Sequence, residues 1–162
     1  MLRIELPGKE PLVLSTLILD YNGTLAKDGD LLAGVAERLE QLGRHMQIIV
    51  LTADTHGTVA GKTAGLPVQV TVIKASSPAT GETEDIAKLH VLEERGAATC
   101  AAFGNGRNDA LMLEHAALSV AVLGDEGLST TALGAAQVMV KDIRDGLDLL
   151  LHTDRLRATL RF

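Results

Sequence analysis

Thr16-Leu17-Ile18-Leu19-Asp20-Tyr21-Asn22-Gly23-Thr24 is the stretch whose reading decides the fold. An unbroken aliphatic run without polar alternation reads as a strand covered on both faces, as in a parallel sheet under helices. Asn22-Gly23 then turns the chain sharply. Asp20 is thereby set at the exit of a buried strand. A carboxylate so placed can act as a nucleophile toward phosphorus, splitting one hard transfer into two easier ones. The backbone amides of the turn, Gly23 among them, can cradle phosphate oxygens. Phosphoryl transfer depends mainly on positioning and charge stabilisation, so a divalent cation and a lysine are expected close by.

Working outward, short aliphatic runs alternate with longer amphipathic segments. Leu2–Leu6 and Leu12–Leu19 read as strands, and Pro7-Gly8-Lys9-Glu10 between them predicts an N-terminal antiparallel β-hairpin. Leu31, Leu32, Val35, Leu39 and Leu42 have the spacing of one helical face, with Gly43 as the stop. Strands are predicted at Met46–Leu51, Val68–Ile73, Ala98–Phe103, Leu118–Leu123 and Val138–Val140. Helices are predicted at Asp54–Ala64, Glu82–Arg95 (with Ile86, Leu89, His90 and Glu93 at turn spacing), Asn108–Ala116, Leu128–Ala135 and Ile143–His152, and a loop at Ser76–Gly81. Repeated strand-helix order with right-handed crossovers predicts a doubly wound α/β sheet, a Rossmann-type three-layer sandwich, as a single domain over 1–162. Ligands of such sheets bind at the carboxyl ends of the strands. Asp20, Thr52 and Asn105 all follow strands.

The remaining composition narrows the function. Fifteen basic against 21 acidic residues give a net charge of −6, and aromatics are only 2%. That balance disfavours nucleic acid and anionic membrane as partners. No apolar stretch approaches the ~20 residues needed to span a bilayer, and no signal pattern opens the chain, so a cytoplasmic protein is expected. Cys100 is the lone cysteine and sits in an apolar run, where a buried inert thiol is expected. His45, His56, His90, His115 and His152 lack metal-ligand spacing.

The Asp-x-Asn-Gly-Thr segment after a strand resembles the first motif of the haloacid dehalogenase superfamily. Leu51-Thr52-Ala53-Asp54 resembles its second, Lys88 its third-motif lysine, and Gly104-Asn105-Gly106-Arg107-Asn108-Asp109 its fourth. Four motifs in order cover Leu17 to Asp109. Within the superfamily the style of Asn22 and Thr52-Ala53-Asp54 is similar to the phosphorylation domain of P-type ATPases, here as a stand-alone soluble relative. The resemblance implies Asp20 as nucleophile and Mg²⁺ ligand, with the Asn22 carbonyl, Asn105 and Asp109 completing the metal site. It implies Gly23, Thr52, Ala53, Lys88 and Asn108 as phosphate-binding, with Lys74 as the rival of Lys88. The implied function is a Mg²⁺-dependent phosphohydrolase forming an aspartyl-phosphate on a small phosphomonoester or a larger phosphorylated substrate.

Two departures bear on rate. Most superfamily phosphatases carry Asp at the Asn22 position, and an amide can neither protonate a leaving group nor activate water. Asn105 replaces a usual metal-binding Asp, so its oxygen brings no charge to Mg²⁺. Slow turnover is therefore expected, and the alternative is a phosphate- or metal-binding regulatory module without turnover. The intervals Thr24–Met46 and Thr52–Lys88 hold no inserted domain, which predicts a capless core with an open site and leaves room for a homo-oligomer. Leu147–Leu151, Leu156 and Leu160 are expected to pack in the core rather than dock a partner.

Overall fold

The computed structural model describes residues 1–54, 57–74 and 81–161. His56 and, Gly81 apart, the loop expected at Ser76–Gly81 lie outside the described residues. Strands β1 (Leu2–Ile4) and β2 (Leu12–Leu14) form the antiparallel N-terminal hairpin, with Leu2 opposite Leu14. Strand β3 (Thr16–Asp20) follows, then a small hairpin of β4 (Ala26–Lys27) and β5 (Asp30–Leu31) and helix α1 (Val35–Leu42). Next come β6 (Gln47–Thr52), α2 (Thr58–Lys62), β7 (Gln69–Val72) and α3 (Glu84–Glu94). The chain continues through β8 (Cys100–Gly104), α4 (Ala110–His115), β9 (Leu118–Val122), α5 (Thr130–Ala135), β10 (Val138–Val140), α6 (Ile143–Leu151) and α7 (Thr153–Leu160).

Six strands form one parallel sheet in the order β10-β9-β8-β3-β6-β7. The chain builds outward from β3 on one side, then returns to β8 and builds outward on the other. The order therefore switches between β3 and β8, and the crevice at such a switch is where sheets of this class bind ligands. Strand alternation fills both faces. Leu17, Leu19, Ile48, Val50, Ala101 and Phe103 pack toward α1, α6 and α7, whereas Ile18, Ile49, Leu51 and Ala102 pack toward α3, α4 and α5. Each fully buried aliphatic side chain contributes about 1.5–3 kcal/mol. Gly146 on α6 lets that helix approach the sheet, since a Cβ there would lie 3.0 Å from the Phe103 ring. Among the described residues no helix is long and apolar enough to cross a membrane.

The predicted strand Leu12–Leu19 is two strands broken at Ser15. There the chain leaves the hairpin for the sheet, with the Ser15 amide donating to Thr99 O and its carbonyl accepting from Gln47. The helix predicted from Leu31 begins at Val35, because Leu31 ends the β4–β5 hairpin and Gly34 turns with φ 84°. That hairpin, two residues to a strand, is not among the predicted elements. On α3 the fully buried residues are Lys88 and Leu92, whereas of the expected face Ile86 and Leu89 are half-buried and His90 and Glu93 are exposed. Hydropathy alone misplaces that face, since it counts a buried lysine as exposed. The last helix predicted ends at His152, and the structure adds α7, which buries Leu156 completely in the cluster of Leu147 and Leu150. The apolar tail is core.

Candidate active site

Parallel register brings the motif residues to one edge. Asp20 pairs with Leu51, so Thr52 lies one step beyond it on β6. Leu19 pairs with Phe103, so Gly104 and Asn105 flank Asp20 on the other side. The Tyr21 amide donates to Leu51 O at 3.1 Å, holding the first step of the turn to the sheet. Gly23, at φ 75°, completes the turn, and its amide donates to Ala26 O at 3.0 Å. A Cβ at Gly23 would lie 2.4 Å from the Asn105 amide nitrogen. Only glycine satisfies both the backbone angle and that approach.

Lys88 reaches from α3 to the centre of this edge. Its ammonium is fully buried and donates to Asp20 Oδ1 at 2.8 Å and Asp109 Oδ1 at 2.7 Å. Glu84, one helical turn earlier, stands 3.6 Å away. Lys74 is exposed, so Lys88 is the lysine at Asp20. Asp109 is fully buried, and its other oxygen accepts from the amides of Asn105 (3.0 Å) and Gly106 (2.8 Å). Gly104 makes room for it, as a Cβ there would lie 2.5 Å from that carboxylate.

Charge balance in the cluster is tight. Burial, then the neighbouring Asp109 charge, pushes the Asp20 carboxyl up to about 7, against the opposing pull of Lys88 and Thr24. Burial works against the Lys88 ammonium as well, yet the Asp20 and Asp109 carboxylates hold its pKa above the ordinary lysine value. Two carboxylates thus share one buried cation, and the carboxylate at the mouth bears the deficit.

Thr24, a residue that sequence reasoning missed, is a junction. Its hydroxyl lies 3.1 Å from both Asp20 Oδ2 and Asn105 Oδ1. One hydroxyl proton can serve only one of these at a time. The Asn105 side-chain nitrogen donates to Gly127 O at 3.0 Å, and the Asn105 backbone carbonyl accepts from the Ser129 amide at 2.9 Å. Glu84 is the other residue sequence reasoning missed, for Asn108 Nδ2 donates to it at 2.7 Å. Its spacing of four from Lys88 on one helix was the available signal.

Thr52 is buried, and its hydroxyl oxygen accepts from the Asp54 amide at 3.1 Å. Asp54 itself accepts from the Val59 amide at 3.0 Å and from the Thr58 hydroxyl, so Asp54 rather than Thr52 holds the start of α2. Ala53 and the Asn22 side chain are exposed at the rim. The donor set for a cation is oxygen only. Asp20 Oδ2 and Asn105 Oδ1 both lie 3.1 Å from the Thr24 hydroxyl, and oxygen donors of this kind suit a hard divalent cation. Both Asp109 oxygens are already engaged, so its fit to a cation is through water. Among the described residues no three His, Cys, Asp or Glu side chains cluster as a metal site.

No protein-family model matches the chain. An uncharacterised protein of Methanocaldococcus jannaschii is 46% identical over 83 residues, 49% of this chain and 89% of that protein, and the two belong to one sequence family. Among solved structures, 3-deoxy-D-manno-octulosonate 8-phosphate phosphatase from Moraxella catarrhalis, in complex with magnesium, phosphate and its sugar acid, matches with TM-score 0.67. It is 15% identical, over 90% of this chain and 92% of that one. A zinc-transporting PIB-type ATPase in its E2.Pi state matches with TM-score 0.60 and 21% identity, over 79% of this chain and 20% of that one.

Proposed function

We propose that this chain, which shares its fold with haloacid dehalogenase-type phosphatases, is a Mg²⁺-dependent phosphohydrolase whose Asp20 becomes transiently phosphorylated. The observation that carries the reading is the buried Lys88 ammonium bridging Asp20 and Asp109 at the switch in strand order. A buried ion cluster is costly to a fold and is favoured where charge must be stabilised during reaction.

In this reading an Asp20 oxygen attacks phosphorus, the bond from phosphorus to the ester oxygen breaks, and the leaving oxygen takes its proton from solvent, since Asn22 has none to give, and departs as the alcohol. Lys88 offsets the charge on the phosphoaspartate, and the Thr52 hydroxyl donates to a phosphoryl oxygen. The Asn22 amide receives another oxygen, the Gly23 amide being engaged by Ala26 O, and Asn108 holds the loop from its tie to Glu84. Water then cleaves the acyl phosphate, returning Asp20 and releasing inorganic phosphate. Asp20, the Asn22 carbonyl and Asn105 would hold Mg²⁺, with Asp109 acting through water. The ion would supply charge neutralisation at the transferring group.

The proposal is tested by hydrolysis of an aryl phosphate with and without Mg²⁺. Turnover should need the ion and vanish in Asp20→Ala; activity surviving that substitution would sink the nucleophile assignment. Magnesium binding should also depend on pH. With the metal-free Asp20 carboxyl pushed up to about 7, the ion must displace a proton below that pH. Apparent affinity should rise about tenfold per unit toward pH 7, then level off. Titration calorimetry in two buffers of different ionisation enthalpy reads the released proton, and pH-independent affinity would contradict it.

A second reading, a phosphate-binding regulatory module without turnover, draws on Asn105. Its side chain is held by Thr24 and Gly127, and it adds no charge. Capture of beryllium fluoride at Asp20 without any hydrolysis would favour it.

A further inference from the structure

Beside the Asp20 turn lies a cavity of about 130 Å³. Gly23 and Thr24 form the wall it shares with the site, and Leu32, Val122 and Ile143 form an apolar floor. The rim carries three cations and three carboxylates, and most of that charge is already committed. Asp125 holds Lys27 at 2.8 Å, and Glu126 accepts from the Asp28 amide at 2.8 Å. Asp142 binds the Arg144 guanidinium and accepts from its amide at 2.8 Å. Lys141 is left with no partner among the described residues. The uncommitted charge is one ammonium over an apolar floor, next to the phosphoryl-accepting turn.

We propose that this cavity receives the alcohol portion of the substrate, and that the substrate class is short phosphomonoesters bearing a carboxylate. At ~10–15 Å³ for each water-sized group, the space admits roughly ten such groups. That accommodates a short hydroxy acid and excludes a nucleoside. A single ammonium matches a single carboxylate, and the carbon chain between carboxylate and ester lies on Leu32, Val122 and Ile143. The assignment rests on the phosphohydrolase reading for turnover: the ester and water give the hydroxy acid and inorganic phosphate. Binding does not depend on it.

The matched probes are phosphoglycolate and ethyl phosphate, equal in length and differing in the carboxylate. Each is titrated calorimetrically, with Mg²⁺, into the full Asp20→Asn chain, which cannot accept a phosphoryl group. Phosphoglycolate should bind about tenfold tighter, the size of one charge-assisted hydrogen bond, and Lys141→Gln should erase the difference. Equal binding of the two esters, binding of neither, a preference that survives Lys141→Gln, or tighter binding of AMP or a phosphoserine peptide would overturn the assignment. Aryl phosphate hydrolysis by the wild-type chain reads the phosphohydrolase proposal separately. Discriminating binding without hydrolysis leaves the cavity assignment standing, and hydrolysis without discrimination overturns the cavity assignment alone.

Discussion

Asn22→Asp is expected to raise kcat for an aryl or alkyl phosphate about 10²-fold or more. General acid–base help at a leaving group is typically worth ~10²–10⁴ in rate, and an amide supplies none. The position is ready to receive the carboxylate. The Asn22 side chain is exposed, its backbone bridges to Ala26, and the following amide is tied to Ala26 O at 3.0 Å. The change replaces one NH₂ by oxygen in a turn already fixed, so stability should move by no more than about 0.5 kcal/mol. Steady-state kinetics of the two proteins with Mg²⁺ decide it, and the variant should gain an ionisable limb in its pH–rate profile. Asn22→Ala should leave the wild-type rate nearly unchanged. An Asn22→Asp protein no faster than wild type would mean that proton transfer does not limit the rate.

Lys88→Met should cause the largest loss of stability from one substitution. Methionine fills the space, but Asp20 and Asp109 then face each other without a cation. Removing one partner of a buried ion cluster costs about 3–5 kcal/mol, because the remaining charge stays buried and uncompensated. The loss should depend on pH. In the metal-free wild type the folded Asp20 pKa is already above its unfolded value. Between about pH 4 and 7 the folded state therefore holds a proton that the unfolded state has lost, and stability falls as pH rises. Without Lys88 the folded-state pKa climbs further, so the fall continues above pH 7. Denaturant unfolding at pH 5 and pH 8 should show the larger deficit at pH 8, and Asp109→Asn in the same background should recover part of it. A deficit under about 1 kcal/mol at pH 8 would show that the cluster is not closed as described.

Much of this fold was legible because its signals are local. The apolar run ending at Asp20, the glycines after helices and the strand-helix alternation each act over a few residues. The parallel sheet and its switch follow from them. What stayed hidden depends on distant partners. Ser15 breaks the predicted strand because Thr99 and Gln47 meet it there. The β4–β5 hairpin is two residues per strand, too short to show alternation. Lys88 could be singled out by its distance from Asn105, but only the structure separates it from Lys74. Thr24 as the junction of Asp20 with Asn105, and Glu84 as the holder of Asn108, join residues 81 and 24 apart. No spacing rule reaches the Thr24–Asn105 contact, and Glu84 shows only through its spacing of four from Lys88.

The most direct test is whether Asp20 takes a phosphoryl group. The full chain is mixed with acetyl phosphate and Mg²⁺, quenched in acid, and its peptides mapped by mass spectrometry. The peptide holding Asp20 should gain one phosphoryl group, labile to hydroxylamine as an acyl phosphate is, and Asp20→Asn should gain none. Phosphorylation at another residue, or none at Asp20 while the protein still hydrolyses phosphate esters, would contradict the assignment.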